Sequence, residues 1–131
     1  FAEKISKTLG AETLDTETAK NIQPYKEEAR AYGSTDVGDV SFTVPTAGLS
    51  TATWVPGTAA HSWQAVAAGG TSIGTKGMMV AAKALTLTAM DLFKNPKTIE
   101  AAKAELIERR GKDFKYIPLL GNRPPALDYR K

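Results

Sequence analysis

His61 is the residue of this chain whose type and setting best suit chemistry. It is the single histidine among 131 residues, and it lies in the segment GTAAHSW, just after a predicted strand. Because α/β sheets place ligand and catalytic groups at strand ends, a neutral imidazole here would suit a metal ion. The alternative is an ordinary histidine whose ring hydrogen-bonds a backbone carbonyl, and sequence features alone favour that alternative. One histidine also cannot complete a zinc site, which needs roughly four ligands.

A loop of small polar residues, GSTDVGDVS, is the second candidate. Its first four residues, Gly33, Ser34, Thr35 and Asp36, together form the GSTD loop. Hydroxyl and backbone N–H donors in such a loop suit a substrate carboxylate, and an aspartate there can orient an imidazole. The alternative is a turn whose side chains satisfy its own backbone, and the spacing favours that turn. The two aspartates lie three residues apart, but in a loop this spacing fixes no geometry for a pair of catalytic carboxylates.

Composition excludes several other chemistries. There is no cysteine, so thiol catalysis, disulfides and cysteine-based zinc modules are ruled out. Lys and Arg number 17 against 14 Asp and Glu, and the net charge of +3 is too small for a nucleic-acid footprint. The longest charge-free stretch, residues 40–75, holds too many Gly, Thr, Ser and Pro residues to cross a membrane. We therefore expect neither a nucleic-acid partner nor a membrane partner.

The remaining motifs have ordinary explanations. The stretch GGTSIGTKG over residues 69–77 lacks the Gly-Lys-Ser/Thr ending of a phosphate loop, so it predicts a flexible turn that leads into a helix. We expect the pair Met78-Met79 to pack in the core. The basic residues of the last part of the chain are predicted to be solvated charges. They are Arg109, Arg110, Lys112, Arg123, Arg130 and Lys131.

The elements that must position these residues follow from hydrophobic periodicity. Apolar residues at every fourth position predict a short helix over residues 1–9, and a polar connector follows over residues 11–30. Two β-rich runs, Val40–Thr46 and Leu49–Val55, predict two strands. Two strands seldom form a stable sheet, so we expect part of a larger α/β unit whose other strands lie elsewhere. The start at Phe1 rather than Met agrees with that expectation.

Two long helices and a tail complete the predicted α/β fold. The apolar positions of the first helix are Met78, Ala82, Leu85, Ala89 and Leu92. Asn95 and Pro96 predict an N-cap and first position for the second helix. Its buried residues are predicted to be Ile99, Ala102 and Leu106. Prolines confine the remainder, from residue 116 onward, to an extended tail.

Three motifs in order, GSTDVGDVSFTVPT, GTAAHSW and GTKGMMVAAK, carry a resemblance over residues 31–131. They resemble the C-terminal part of the aminobenzoyl-glutamate utilization protein B group, within the aminoacylase and carboxypeptidase G type of metallopeptidases. The resemblance implies a piece of a mixed-sheet catalytic domain. It also implies hydrolysis of an amide bond in an N-acyl amino acid such as p-aminobenzoyl-glutamate, with two divalent metal ions, zinc or manganese, in the full-length protein.

The resemblance also assigns roles to residues of this chain. His61 matches the last metal ligand of the family, and Gly33, Ser34, Thr35 and Asp36 match the loop that lines the substrate side of the metal centre. The family usually has glycine just before this histidine, where this chain has Ala60. The other ligands and the catalytic glutamate belong to an N-terminal half. No catalytic residue is therefore expected within residues 1–131, and the segment alone is expected to bind no metal and to be inactive.

The same resemblance implies an organisation and partners. Residues 1–30 match a helix and connector that leave the lid domain, and residues 31–131 match the C-terminal part of the catalytic domain. The complete protein is expected to be a homodimer or hetero-oligomer, with a cytoplasmic location as the default. One alternative stays open: a non-catalytic interaction domain that pairs with another chain through an exposed sheet edge.

Overall fold

A computed structural model describes residues 1–9, 19–25 and 35–128 of the chain. The contacts divide the chain into two compact units. The first unit comprises Phe1–Gly33 and Ala47–Asn95, and the second comprises Ser34–Thr46 and Pro96–Lys131. The described residues form helices α1 (Ala2–Thr8), α2 (Val37–Thr43), α3 (Trp63–Gly69), α4 (Ser72–Lys94) and α5 (Pro96–Arg110). None of the helices in these ranges is long and apolar enough to cross a membrane.

The predicted α/β fold is wrong, because the described residues contain helices and no strand. The run Val40–Thr46 begins inside α2, and the chain turns extended only at Val44. Within α2 the hydroxyls of Ser41 and Thr43 donate to backbone carbonyls three residues earlier, at 2.7 and 2.8 Å. These local bonds accommodate the hydroxyl side chains inside a helical turn. β-Propensity measures the fit of a side chain to a sheet surface, so it decides little where no neighbouring strand is present.

The second β-rich run, Leu49–Val55, has no strand partner among the described residues and lies along α4 in the first unit. The Thr51 hydroxyl donates to the carbonyl of Gly77 at 3.0 Å. A Cβ placed on Gly77 would lie 2.8 Å from the Thr53 methyl and 2.9 Å from the backbone carbon of Ala52. The absence of a side chain at Gly77 therefore permits the close approach of α4 and the run Leu49–Val55, which we call the extended segment.

A tight corner joins α3 to α4, and α4 begins at Ser72, inside the stretch that the sequence predicts to be a flexible turn. The Thr71 hydroxyl caps α4 by accepting from the Ile73 amide at 3.2 Å, and it donates to the Ala68 carbonyl at 2.7 Å. Ala68 is fully buried. Gly74 passes so close to Gly69 that a Cβ there would lie 2.8 Å from the Gly69 Cα. Small residues therefore set the distance between the two helices.

The predicted start of the second long helix is confirmed by α5. It starts at Pro96 and ends before Gly111, whose φ of +86° is readily available to glycine. An i,i+4 ion pair lies in its last turns, with Arg109 Nε 2.9 Å from the Glu105 carboxylate. The Asn95 side chain donates back to the Asp91 carbonyl of α4 at 3.0 Å, so it closes the preceding helix.

Few apolar side chains are buried in the described part of the chain. The buried apolar residues there are Ile5, Val55 and Ala68. Met78 and Met79 are 57% and 47% exposed, so the prediction that they pack in the core is wrong. The reason is that α4 buries its narrow Gly74 and Gly77 face inside the first unit, which leaves its larger side chains on the other faces.

Candidate functional site

His61 projects from a short turn whose two ends are held in the first unit. On one side Val55 is 1% exposed, and the Thr58 amide donates to its carbonyl at 3.1 Å. Gly57, with a φ of +83°, makes that turn possible. On the other side the chain enters α3 through Ser62. His61 itself is exposed, so its imidazole is accessible rather than packed among apolar side chains.

Ser62 connects the two sides of this turn through one hydroxyl. Its Oγ accepts from the Ala65 amide at 3.2 Å, which caps α3, and it donates to the Ala59 carbonyl at 2.7 Å. The hydrogen bond to the Ala59 carbonyl closes a turn that contains His61. The sequence signal for this role was a serine immediately before a helical segment, and sequence reasoning missed it.

The backbone of His61 is left-handed, with φ at +58°. Among the described residues no other non-glycine residue has a positive φ. This conformation costs of order 1–3 kcal/mol for a residue with a Cβ, although histidine tolerates it better than most residues. The family's glycine position, here Ala60, therefore has no positive φ to accommodate. The positive φ belongs to His61 itself, the residue that bears the imidazole. Residues in such uncommon backbone conformations cluster at functional sites.

The described residues do not by themselves make a metal centre. Within residues 1–9, 19–25 and 35–128, no group of three or more His, Asp or Glu side chains lies close enough to hold an ion. His61 therefore offers one donor, and a dinuclear centre does not fit the described residues alone.

The GSTD loop lies only partly within the described ranges. Gly33 and Ser34 fall outside them. Thr35 and Asp36 are exposed and precede α2 in the second unit, and the Val37 amide approaches the Thr35 hydroxyl at 3.4 Å. The Asp36 carbonyl accepts from the Asp39 amide at 3.0 Å, which starts the helix. Thr35 thus partly satisfies its own backbone, as the turn alternative expects, while the Asp36 carboxylate stays exposed.

Three contacts tie α2 to the end of α5 and the segment after it. Asp39, Phe42, Arg110, Phe114 and Tyr116 make these contacts, and we call this set the α2 clamp. The Tyr116 hydroxyl donates to the Asp39 carboxylate at 2.9 Å. The rings of Phe42 and Phe114 stack with centroids 5.4 Å apart. Arg110 Nη1 donates to the Phe42 carbonyl at 2.6 Å, and its guanidinium lies 5.6 Å from the Phe114 centroid.

The prediction that Arg110 is an ordinary solvated charge is therefore wrong. Its side chain is half-buried, and its Nε is buried without a hydrogen-bond partner among the described atoms. Tyr116 is affected as well, because its hydrogen bond to Asp39, then desolvation, then the Asp39 charge raise the pKa of the phenol above its ordinary 10.0. The sequence signal for this cluster was weak, namely aromatic residues two apart just beyond a helix-ending glycine.

The chain is similar to a known protein over most of its length. It is 37% identical over 92 residues to a p-aminobenzoyl-glutamate hydrolase subunit of Escherichia coli (strain K12). The aligned part covers 70% of this chain and 19% of that relative, so the chain spans about a fifth of the relative's length. No protein-family model and no solved structure matches the chain.

Proposed function

Since the chain belongs to the family of this p-aminobenzoyl-glutamate hydrolase subunit, as its motifs predicted, we propose that it is the C-terminal segment of a metal-dependent amidohydrolase. The observation that carries the proposal is its identity to that hydrolase subunit over most of this chain. The reaction would be hydrolysis of the amide bond in an N-acyl amino acid, with p-aminobenzoyl-glutamate as the first substrate to try. Because the relative's name marks it as a subunit, the complete protein is proposed to work in an oligomer.

In this proposal His61 supplies one imidazole ligand. Its exposure, its left-handed backbone and its position in the turn that Ser62 closes onto Ala59 support the role, since a ligand must be accessible and oriented. Two divalent ions, zinc or manganese, would supply Lewis-acid activation of the amide carbonyl when bound. The remaining ligands and the catalytic glutamate would come from the four-fifths of the family protein that this chain does not match.

The GSTD loop has the second role. Its hydroxyl and backbone N–H donors would hold the free carboxylate of the substrate, since such groups bind carboxylates through charge-assisted hydrogen bonds. Of the described loop residues, Thr35 presents an exposed hydroxyl. Because His61 belongs to the first unit and Thr35 to the second, each role is supported by the geometry of its own unit.

The exposed apolar surface supports a segment that works within a larger protein. Along α4, Met78, Leu85 and Phe93 are all more than half exposed. A helix with apolar side chains on most of its surface is typical of the interior of a larger protein. We propose that the rest of the family polypeptide covers this surface and that the 131-residue chain alone does not hydrolyse amides.

The test uses the parent polypeptide, meaning the natural gene product that contains this chain. Its intact mass should exceed that of the 14.0 kDa chain several-fold, and it should release p-aminobenzoate from p-aminobenzoyl-glutamate in a metal-dependent reaction. His61→Asn is the informative variant, because asparagine also tolerates a positive φ but lacks the imidazole. It should lower kcat/KM by about 100-fold or more, as loss of a metal ligand does.

Gln64→Ala is the control, since Gln64 lies in the first turn of α3 and has no assigned role. Its kcat/KM should stay within about twofold of the parent value. Metal-dependent turnover by the purified 131-residue chain would refute the inactivity of the segment. A parent polypeptide without amidase activity, or a His61→Asn variant as active as Gln64→Ala, would refute the proposed function.

The interaction-domain alternative needs an exposed sheet edge, and the described residues form no sheet. No observation on this chain favours it over the hydrolase segment. The predicted cytoplasmic location stays a prediction. So does the division between residues 1–30 and 31–131, whose boundary falls outside the described residues.

A further inference from the structure

We propose that Arg110, Phe114 and Tyr116 are positioning residues that hold the described end of the GSTD loop, Thr35 and Asp36, in place for the substrate. They act through α2 and not by touching the substrate. This inference rests on the proposed function, because it assigns the loop a substrate carboxylate to bind. It goes beyond that function by assigning a role to the end of α5 and to the segment after it.

The contacts of the α2 clamp differ in chemical type and reach α2 at two points. Near its start, the Asp39 carboxylate accepts from the Tyr116 hydroxyl. Near its end, Phe42 is held twice, through its carbonyl by Arg110 and through its ring by Phe114. Asp39 and Phe42 lie one helical turn apart, so they project from the same side of α2. Restraints at two points along one side fix the rotation of the helix as well as its position.

Thr35 and Asp36 are joined to α2 by hydrogen bonds, so their position depends on that of the helix. The Asp36 carbonyl accepts from the amides of Asp39 and Val40, at 3.0 and 3.4 Å. The Thr35 hydroxyl lies 3.4 Å from the Val37 amide. α2 has seven residues, about two turns, so it transmits a displacement nearly as a rigid body. A loss of restraint at Asp39 or Phe42 therefore displaces the backbone at Thr35 and Asp36.

The arrangement around Arg110 indicates a fixed side chain. Its Nε is buried without a partner, which disfavours the packed conformation unless other contacts compensate. The hydrogen bond to the Phe42 carbonyl and the position over the Phe114 ring are those contacts. Lysine has one compact charge and no planar group, so it cannot make both contacts in the same geometry.

The experiment measures steady-state kinetics of the parent polypeptide with p-aminobenzoyl-glutamate. Tyr116→Phe keeps the ring and removes the hydroxyl, and Arg110→Lys keeps the charge and removes the planar group. The matched controls make the same chemical changes at exposed residues outside the clamp, Tyr25→Phe and Arg123→Lys. A positioning role predicts KM raised roughly three- to tenfold with kcat changed less than about twofold, because substrate binding weakens while the reacting groups are untouched.

A conservative pair at Phe114 separates positioning from a general loss of folding. Phe114→Tyr should keep KM within about twofold of the parent value, since the ring can still stack, whereas Phe114→Ala should raise KM roughly as Tyr116→Phe does. Lower yields of folded enzyme would reduce kcat at constant KM, and that pattern in Tyr116→Phe and Arg110→Lys would overturn the inference.

The failure of the inference differs from the failure of the proposed function. If the unaltered parent polypeptide hydrolyses the substrate but both clamp variants keep the KM of their controls, the clamp does not position Thr35 and Asp36, and only this inference falls. If the unaltered parent polypeptide does not hydrolyse the substrate, the proposed function falls, and the inference that rests on it falls as well.

Discussion

Gly77→Ala is the most direct test of how the first unit is built. The substitution adds one methyl group to the face of α4 that meets the extended segment. That Cβ would lie 2.9 Å from the backbone carbon of Ala52 and 2.8 Å from the Thr53 methyl, and Cβ atoms essentially never come within 3.0 Å of heavy atoms outside their own residue and its chain neighbours. Backbone cannot rotate away as a side chain can, so either α4 or the extended segment must shift.

The net effect follows from three opposing contributions. Forcing a methyl group into packed surroundings costs about 1–3 kcal/mol. Displacement of the segment also weakens the hydrogen bond from Thr51 to the Gly77 carbonyl, which contributes about 1 kcal/mol. Against these, alanine favours the helix over glycine by about 1 kcal/mol. We therefore expect Gly77→Ala to lower the free energy of unfolding by about 1–3 kcal/mol.

Urea unfolding followed by tryptophan fluorescence is the assay. Both tryptophans of the chain, Trp54 and Trp63, lie in the first unit, so the signal reports that unit. Gly69→Ala is the matched control, since the same methyl group at the end of α3 meets nothing within 4 Å. Its stability should be unchanged or slightly higher. If Gly77→Ala proves as stable as Gly69→Ala, the close approach of α4 to the extended segment is refuted.

Three further predictions concern the second unit, the His61 turn and the α4 surface. Asp39→Asn should bring the pKa of Tyr116 back toward 10.0 in an ultraviolet titration, because Asp39 is the main cause of its raised value. The neutral phenol is the donor, so the native bond is complete below pH 10.0 and is lost as pH rises through the raised pKa; an unchanged value in the variant would contradict this. Ser62→Ala should lower the free energy of unfolding of the first unit by about 1–2 kcal/mol in urea, because the hydroxyl makes two hydrogen bonds. Ser62→Thr keeps a hydroxyl and should retain most of the stability. Equal losses in both variants would show that the hydroxyl does not matter. Leu85 is exposed in this chain, so Leu85→Lys should change the stability of the 131-residue chain by less than about 0.5 kcal/mol. In the parent polypeptide the same change should clearly lower the melting temperature, because the rest of the protein is proposed to cover this surface. Equally small effects in both proteins would show that nothing covers it.

The elements that the sequence predicted well are those whose hydrogen bonds close locally. Helices α4 and α5 are stabilised by bonds between residues four apart, so periodicity and the local signal at Asn95 and Pro96 were enough to find them. The family was also predicted correctly, because the order of the three motifs can be read from the sequence without a structure. The exposure and the left-handed backbone of His61 were not predicted, because both depend on the turn that the folded chain forms around this residue.

The errors concern features that depend on distant partners. Val40 looked like a strand residue, but a strand exists only where a neighbouring strand accepts its backbone bonds, and helix α2 formed in its place. Arg110 looked solvated because its carbonyl partner is Phe42, 68 residues away. Such pairings are decided by which segments the chain brings together.

The sequence by itself therefore determined the two long helices, the junction between them at Asn95 and Pro96, and the family. The tertiary structure decided which face of each helix is covered. In α4 the sequence pointed to the large side chains around Met78, but the packed face carries Gly74 and Gly77. Periodicity shows that a helix has an apolar face, but the shape of the neighbouring backbone determines which face can approach closely. Against an extended segment in near contact, only a face without bulky side chains fits.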